Sequence, residues 1–428
     1  MLTRLDLRGF EGDLSDVLPR QSRPDETVLA AVREIIASVW AGGDATLREL
    51  TKRFDGCDID ELRVPERDLT AALESIDPDL RAALEFASDQ ILSYHESQRD
   101  ADTKHERQGI HVRELVIPVD RAGLYVPGGL APLASTVLMT AIPARIAGVP
   151  EVVLCTPPDS ATGRPHPATL AAAALAGVDE VYRVGGAQAI AAMAYGTDSI
   201  LPVDVIVGPG NRYVAAAKRE VQGTVGIESF AAESELAVIA DDSTNPEWVA
   251  ADLLAQAEHG PGGVAVVITW SESFADAVDA RLAARLEMTT RRAEAEATLA
   301  SGGRIVVVDG PADAIAVANA IAPEHLQIMN ADPEMLVAEV RHAGAVFCGP
   351  YAPAVVGDYV AGVNHVLPTG GSARFASALR VSNFQKHVHV VTLDRDALAR
   401  VGPYATVLAE AEGLDAHAQS IRARDQDR

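Results

Sequence analysis

Seven short apolar runs set the architecture of this 428-residue chain. Each is rich in β-branched residues, and most end in Gly, Pro or Asp. The runs are EVVLCTPP, EVYRVGG, VDVIVGPG, ELAVIADD, VAVVITW, RIVVVDG and AGAVFCGP. Segments with helical periodicity lie between them, for example ASTVLMTAIPARIAGV, ATLAAAALAGV and AQAIAAMAYG. Continuous apolar strands joined by crossover helices indicate parallel sheets that are covered on both faces.

These units are too many for one small domain, so the predicted fold class is α/β with two Rossmann-like parallel-sheet domains. The first hundred residues are predicted to be mostly helical, and the last fifty to be helical with one strand-like segment, KHVHVVTL. A polar segment, GIESFAAESE, interrupts the alternation and is the expected break. The predicted ranges are an N-terminal arm at 1–25, a first Rossmann-like domain at 26–124 plus 236–375, a second at 125–235, and a small C-terminal domain at 376–428.

Charge and cysteine content exclude several classes of protein. The net charge of −25 and the lack of a basic stripe argue against nucleic-acid binding. The N-terminal sequence MLTRLDLRGF lacks the apolar core of a secretory signal, and no stretch approaches the roughly 20 apolar residues of a membrane helix. Three widely spaced cysteines favour a reducing compartment over a disulfide framework. A cytoplasmic location and no membrane partner are therefore expected.

Three of the predicted strand ends are rich in glycine: LYVPGGLAP, RVGGAQAI and VGPGNRYVAAAK. Ligands of parallel α/β sheets bind beyond the carboxyl ends of the strands, and a following helix N-terminus favours phosphate. None of the three matches the dinucleotide motif G-x-G-x-x-G. Tight strand-to-helix turns explain these glycines equally well.

Two polar pairs stand next to predicted helix ends. In DLLAQAEHGPGG, Gln256 and His259 are three residues apart, so their side chains project from one helix face. In APEHLQIM, Glu324 and His325 are adjacent, which suits two proton-transfer roles. A solvated helix end and a surface pair at a helix cap are the corresponding structural alternatives.

Two further segments carry polar residues that suit a metal site. Asp358 and His365 lie in GPYAPAVVGDYVAGVNHVLPTGG, a segment whose length is typical of functional loops, although a surface excursion is equally compatible. Glu412 and His417 lie in AEGLDAHAQS, where a solvated helix is the simpler interpretation. Gln256, His259, Asp358 and His417 together offer nitrogen and oxygen donors that suit zinc. They are too far apart in sequence for any local spacing rule to select them.

Seven motifs taken in order connect these residues: GLYVPGGLAPLASTVLMTAIPARIAGV, VGGAQAIAAMAYGT, VGPGNRYVAAAKR, ADLLAQAEHGP, APEHLQIM, GDYVAGVNHVLPTGG and AEGLDAHAQS. In this order, from about Leu29 to Arg422, the chain resembles histidinol dehydrogenase. The resemblance implies oxidation of L-histidinol through L-histidinaldehyde to L-histidine, with reduction of two NAD⁺ and one Zn²⁺ per subunit. It places the chain in histidine biosynthesis.

The resemblance also implies roles for individual residues. The zinc ligands would be Gln256, His259, Asp358 and His417, and the catalytic pair would be Glu324 and His325. The metal ligands and His325 would contact the substrate together with Ser234 and Glu412, and Tyr125, Gln188 and Asn211 would lie near NAD⁺. The first Rossmann-like domain would carry substrate and zinc, the second the NAD side. The family is a homodimer in which the C-terminal segment, with Glu412 and His417, completes the site of the partner.

One motif departs from the family and keeps other functions open. The family usually has Gly-Pro-Ser-Glu where this chain has AESE, so Glu233 adds charge beside Ser234. A dehydrogenase for another polar alcohol, such as a sulfonated diol, is the first alternative. A zinc hydrolase is the second, although it leaves the glycine-rich strand ends unexplained. A non-catalytic sensor is the third, and the intact Glu324 and His325 argue against it.

The expected mechanism follows from the chemistry of an alcohol oxidation. His325 would accept the hydroxyl proton, because an imidazole titrates near neutral pH, and hydride would pass to NAD⁺. Zinc has no redox role of its own and would hold and polarise the substrate. Glu324 would activate water for the aldehyde step. Cys155 ends a strand and could instead form a thiohemiacetal, but a free cysteine is usually a packing residue.

Overall fold

The computed structural model describes residues 2–18, 25–128, 132–229, 233–260 and 262–425. These residues form two compact units. The first comprises Met1–Gln98 and Asp120–Phe384, and the second comprises Arg99–Val119 and Gln385–Arg428. Ala232 of the AESE motif, Pro261 of the GPGG turn and residues 129–131 of the first glycine-rich segment lie outside the described residues.

The strands and helices alternate along most of the chain. In chain order the strands are β1 Thr3–Asp6, β2 Thr103–Arg107, β3 Ile110–Pro118, β4 Arg121–Tyr125, β5 Glu151–Cys155, β6 Glu180–Tyr182, β7 Val205–Val207, β8 Gly226–Ile227, β9 Glu235–Ala240, β10 Val264–Thr269, β11 Gly303–Val307, β12 His325–Met329, β13 Ala345–Cys348 and β14 Gln385–Leu393. The helices are α1 Glu26–Asp55, α2 Glu66–Ser75, α3 Pro78–Glu96, α4 Ala134–Ala147, α5 Pro167–Leu175, α6 Gly186–Tyr195, α7 Arg212–Val221, α8 Pro246–Ala257, α9 Glu272–Leu286, α10 Arg292–Gly302, α11 Pro311–Ile321, α12 Pro333–Val337, α13 Ala354–Tyr359, α14 Arg395–Ala411 and α15 Asp415–Asp425. Short 3₁₀ helices occupy Leu14–Asp16, Ser372–Arg374 and Val381–Phe384.

Two parallel sheets form the first unit, which confirms the predicted α/β fold class. The six-stranded sheet has the order β1-β11-β10-β9-β12-β13, and the five-stranded sheet has the order β6-β5-β4-β7-β8. All strand pairs within these two sheets are parallel. All seven apolar runs contain a strand, because only residues that tolerate burial on both sides fit the middle of such a sheet.

Each sheet is covered by helices on both faces. On the six-stranded sheet, the apolar sides of α8, α9 and α10 form one core and those of α11 and α12 form the other. On the five-stranded sheet, α1, α6 and α7 share a core with alternate residues of β5, including Val153 and Cys155. The helix α4 packs against β4 and β5. The range α1 contains the two helical segments that the periodicity of DETVLAAVREIIASVW and DATLRELTKRF predicts, and they meet at a kink at Gly43, where φ is +50°.

The second unit contains an antiparallel sheet of order β14-β3-β2, together with α14 and α15. Here the chain is divided differently from the predicted ranges. The segment Arg99–Val119 joins the C-terminal residues, since β3 pairs with β14 along its full length. Strand β4 belongs to the five-stranded sheet and β1, in the predicted arm, forms an edge of the six-stranded sheet. Such pairings join residues far apart in sequence, so local patterns do not show them.

No helix in the described part of the chain is long and apolar enough to cross a membrane.

Candidate active site

The predicted metal and proton-transfer residues of the first unit meet at one edge of the six-stranded sheet. Strands β9 and β12 begin there, at Glu235 and His325, and the helix α8 ends there. Gln256, His259, His325 and Asp358 line one pocket at this edge. This is the amino edge of the sheet, opposite to the carboxyl edge where ligands of parallel sheets usually bind.

Gln256 and His259 reach the pocket because α8 stops abruptly. The helix ends at Ala257, and Gly260 follows with a φ of +114°, a conformation that favours glycine. Gln256 is buried in the last turn and His259 is exposed two residues beyond it. The two side chains therefore share the pocket, as their three-residue spacing predicted.

Glu324 and His325 are buried rather than a surface pair at a helix cap. They are 7% and 4% exposed, at the point where the chain leaves α11 and enters β12. The sequence analysis missed this strand. In β12, His325 lies opposite Leu236 of β9, which brings Glu324 beside the start of β9.

Short hydrogen bonds hold the Glu324 carboxylate in place. Its Oε2 accepts from the Ser234 hydroxyl at 2.7 Å and from the Glu235 backbone N–H at 2.9 Å. The Ser234 hydroxyl also lies 3.3 Å from Oε1 of Gln256. Ser234 thus connects the predicted water-activating carboxylate to a predicted metal ligand.

The tautomer of His325 follows from its partners. Its Nδ1 lies 3.1 Å from the Glu235 carbonyl oxygen, which can only accept, so Nδ1 carries a proton. In the neutral ring Nε2 is therefore the free nitrogen, and it faces Oδ1 of Asp358 at 3.5 Å. Nε2 is thus the only ring atom that can accept a proton from a substrate.

The electrostatics of His325 differ from the expectation of a group that titrates near neutral pH. Burial alone lowers the pKa of His325, but the carboxylates of Glu324 and Asp358 outweigh this and raise the pKa to about 10. Burial acts to raise the pKa of Asp358, yet its hydrogen bond to His325 and the nearby histidines hold that pKa below its usual value. Both carboxylates therefore favour the protonated form of His325 over the neutral ring.

Asp358 lies on α13, and His365 fixes the loop that follows it. The Nδ1 of His365 lies 2.9 Å from the Asp358 carbonyl oxygen, and its Nε2 lies 2.8 Å from the Thr136 hydroxyl in the first turn of α4. Burial lowers the pKa of His365, so the ring is neutral. His365 therefore ties the metal-ligand segment to the helix that follows the first glycine-rich strand end. The sequence placed His365 in this loop without assigning it a role.

The residues of the pocket suit a zinc ion by the chemistry of their donors. They offer an amide, an imidazole and an ionised carboxylate, from Gln256, His259 and Asp358. The amide nitrogen of Gln256 is buried without a hydrogen-bond partner. Because amide nitrogen and oxygen are assigned only by their partners, a flipped amide would turn the oxygen towards this unpartnered position. Within the described residues, no group of three or more His, Cys, Asp or Glu side chains can hold a metal by itself.

The residues predicted to contact NAD⁺ lie at the carboxyl edge of the five-stranded sheet. Tyr125 ends β4 and is buried, and its hydroxyl accepts a hydrogen bond from the Gly186 N–H at 3.0 Å. Gln188 is buried in the first turn of α6. Asn211 caps α7, where its side chain accepts from the N–H groups of the first turn. All three lie within the glycine-rich segments that the sequence singled out.

An ion pair that the sequence analysis missed supports this edge. The Lys218 ammonium lies 2.7 Å from Oε1 of Glu228, and the two side chains are 2% and 1% exposed. The same oxygen accepts from the Gly208 N–H at 2.7 Å, and Lys218 donates to the Gly208 carbonyl at 3.0 Å. Both backbone groups of Gly208 are thus held. A Cβ on this residue would lie 2.0 Å from the Tyr125 carbonyl oxygen, so only glycine fits.

Cys155 is a packing residue, as the sequence analysis judged. Its side chain is fully buried in the core between the five-stranded sheet and α1. Burial raises the pKa of the Cys155 thiol to about 12, so it is protonated at neutral pH and unsuited to nucleophilic attack.

Glu412 and His417 lie in the second unit. Glu412 caps the C-terminus of α14, and His417 is exposed on α15. Their assignment to the site stays a prediction.

Comparison with known proteins gives a consistent result over almost the whole chain. A family model described as histidinol dehydrogenase matches residues 18–425. The histidinol dehydrogenase of Rhizobium meliloti (strain 1021) is 47% identical over 418 residues, covering 97% of this chain and 96% of that protein. That of Thermobifida fusca (strain YX) is 46% identical over 429 residues, covering 99% and 98%. A crystal structure of histidinol dehydrogenase from Elizabethkingia anophelis has a TM-score of 0.94 and 35% identity, covering 100% of this chain and 98% of that one.

Proposed function

The chain belongs to the histidinol dehydrogenase family of oxidoreductases, and we propose that it oxidises L-histidinol through L-histidinaldehyde to L-histidine with two NAD⁺ and one zinc ion. The observation that carries the proposal is the pocket that joins Gln256, His259, His325 and Asp358. These residues come from three distant segments, and their chemistry suits the binding and deprotonation of an amino alcohol. Histidine biosynthesis is the corresponding pathway.

In the first oxidation, the chain's own groups handle the hydroxyl proton. Nε2 of His325 is the ring atom that faces Asp358, and in the neutral ring it accepts this proton from the hydroxyl. The carboxylates of Glu324 and Asp358 stabilise the imidazolium that results. NAD⁺, when bound, would supply the two-electron acceptor for the hydride of the carbinol carbon, and the alcohol would become the aldehyde.

In the second oxidation, Glu324 is the base that activates water. Its carboxylate is held by Ser234 and the Glu235 N–H, so it has a fixed orientation and needs no rearrangement before proton transfer. Water adds to the aldehyde to give the hydrate, and Glu324 takes a proton from the attacking water. A second NAD⁺ would supply the hydride acceptor, and the hydrate would release one hydroxyl proton to solvent as it becomes the carboxylic acid.

Gln256, His259 and Asp358 are the residues of the first unit that would hold zinc, and His417 would be the fourth ligand. When bound, zinc would take the amine and imidazole nitrogens of histidinol as ligands and act as a Lewis acid. Asp358 lies 3.5 Å from Nε2 of His325, so a predicted metal ligand and the proton-accepting nitrogen are neighbours. Tyr125, Gln188 and Asn211 would contact NAD⁺ at the other sheet.

His417 and Glu412 are proposed to reach the site of the partner in a homodimer. Mixing two inactive variants, His417→Ala and His259→Ala, tests this arrangement. A mixed dimer then contains one site with both histidines intact, so activity returns after subunit exchange. If each chain uses its own His417, no mixed dimer contains an intact site and activity stays absent. Size-exclusion chromatography with light scattering establishes whether the dimer forms.

Two alternatives remain distinguishable. Membership of an oxidoreductase family gives a zinc hydrolase no support. A dehydrogenase for a different polar alcohol is the better alternative. The Glu233 side chain packs against Gly262, in the turn that follows His259, and adds a carboxylate near the pocket.

The deciding experiment is a steady-state assay at 340 nm with NAD⁺ and a panel of alcohols. L-histidinol should give the highest kcat/KM and two NADH for each molecule consumed. A chelator should abolish turnover, and added Zn²⁺ should restore it. A sulfonated diol or another amino alcohol that exceeds histidinol in kcat/KM would contradict the proposed substrate.

A further inference from the structure

We propose that Glu235 is a positioning residue that locks the catalytic pair Glu324–His325 to the loop that carries His365. The inference rests on the proposed function, which identifies Glu324 as the base of the aldehyde step. Glu235 is the last residue of AESE, and neither the motif nor the resemblance gave it a role.

The contacts of Glu235 and Glu324 are reciprocal. The Glu235 N–H donates to Oε2 of Glu324 at 2.9 Å, and the Glu324 N–H donates to Oε2 of Glu235 at 3.3 Å. Each carboxylate thus accepts from the backbone of the other residue, across the starts of β9 and β12. Such an arrangement fixes the register of β9 against β12 and also the orientation of the Glu324 side chain.

Two more contacts extend this lock. The other carboxylate oxygen of Glu235, Oε1, accepts from the Gly370 N–H at 3.1 Å, at the end of the loop that begins after Asp358. The Glu235 carbonyl oxygen accepts from Nδ1 of His325, which sets the tautomer of the catalytic ring. One residue therefore contacts both catalytic residues and the end of the metal-ligand loop.

The side chain and the backbone of Glu235 perform separable tasks. The backbone orients the Glu324 carboxylate and His325, and it is unaffected by substitution of the side chain. The side chain fixes the Glu324 backbone and Gly370, and it uses one oxygen for each N–H. An amide has only one acceptor oxygen, so Glu235→Gln leaves one of the two N–H groups facing a donor.

Glu235→Gln is therefore expected to impair the second oxidation selectively. Displacement of a base by about 1 Å can cost on the order of 100-fold in rate. We expect kcat for histidinaldehyde to fall about 100-fold and kcat for histidinol to its aldehyde to fall less than 10-fold, with KM for NAD⁺ unchanged. A residue that merely supports the fold would lower both half-reactions together. Asp44→Asn is the matched control. It also converts a buried carboxylate that accepts from a backbone N–H, that of Ser199, into an amide, but it lies beside the five-stranded sheet.

Hydrogen exchange separates failure of this inference from failure of the proposed function. In Glu235→Gln, peptides that contain the Glu324 and Gly370 N–H groups should exchange faster, and Asp44→Asn should leave them unchanged. Absence of histidinol turnover in the unmodified chain would contradict the proposed function, while the exchange result would still test the lock. Unchanged exchange at both sites, or equal loss of the two half-reactions, would overturn the role of Glu235.

Discussion

The buried ion pair Lys218–Glu228 offers a quantitative test of how the cofactor edge is built. Lys218→Met removes the ammonium but keeps an unbranched apolar side chain. It leaves the Glu228 carboxylate buried, with Oε2 already lacking a hydrogen-bond partner. Breaking a buried pair from one side costs about 3–5 kcal/mol, because the remaining charge is neither solvated nor paired. Glu228→Gln should cost a similar amount, since it strands the ammonium.

The double variant Lys218→Met/Glu228→Gln should be more stable than either single variant. Neither position then carries a buried charge, and the Gly208 N–H still has an amide oxygen to which it can donate. Only the Gly208 carbonyl loses its donor, at a cost of about 1–3 kcal/mol. The expected order of the free energy of unfolding is therefore the unmodified chain, then the double variant, then the two single variants.

Urea unfolding followed by circular dichroism, supported by calorimetry, measures this order. The same proteins report on the cofactor edge through NADH binding, followed by nicotinamide fluorescence. Loss of the Lys218 hydrogen bond to the Gly208 carbonyl should weaken NADH binding in Lys218→Met, because this turn precedes Asn211. Glu228→Gln keeps both partners of Gly208 and should bind NADH nearly as the unmodified chain does. If the two single losses simply add in the double variant, the charges are not coupled and the argument fails.

Four further outcomes are expected. Glu324→Gln should lower the rate of aldehyde oxidation by about 10²–10⁴-fold, the usual contribution of a general base, and alcohol oxidation far less; equal losses would exclude the water-activating role. Cys155→Ala should keep substantial four-electron turnover, and near-complete loss of the second oxidation would reinstate a thiohemiacetal. His259→Ala should lower the zinc content per chain measured by plasma mass spectrometry, and unchanged content would remove it from the ligand set. Burial raises the pKa of Glu235 from 4.5 to about 7, so between these pH values the folded chain binds more protons than the unfolded chain. The free energy of unfolding should therefore fall by up to about 3 kcal/mol as the pH rises from 4.5 to 7. Unfolding curves of Glu235→Gln, measured over the same pH range, should lack this fall.

Local sequence patterns were sufficient for most of the secondary structure. The seven apolar runs became strands because parallel strands between two layers of helices need side chains that tolerate burial on both sides. The three-residue spacing of Gln256 and His259 predicted that their side chains share one helix face; both line one pocket, although His259 lies just beyond the end of α8. Strand β12 was missed because its first residues are polar, and a polar pair after a helix resembles a solvated cap.

The set of predicted site residues came from the resemblance to a known family. The contacts and distances between these residues came only from the tertiary structure. No spacing rule connects Gln256 with Asp358, because they meet through sheet pairing and loop packing between segments far apart in the chain. The same is true of the His325 tautomer, which is set by the Glu235 carbonyl, and of the part of its raised pKa that comes from Asp358. Only the contribution of Glu324 comes from a sequence neighbour.

The sequence by itself therefore determined most of the strands and helices, and it offered candidate residues whose chemistry suits metal binding and proton transfer. Tertiary structure decided that the site lies at the amino edge of the six-stranded sheet, that Arg99–Val119 pairs with the C-terminal residues, and that Glu235 and the Lys218–Glu228 pair support the two edges. The physical reason is range: backbone periodicity and side-chain burial act over a few residues, whereas strand order and electrostatic environment depend on contacts between distant ones.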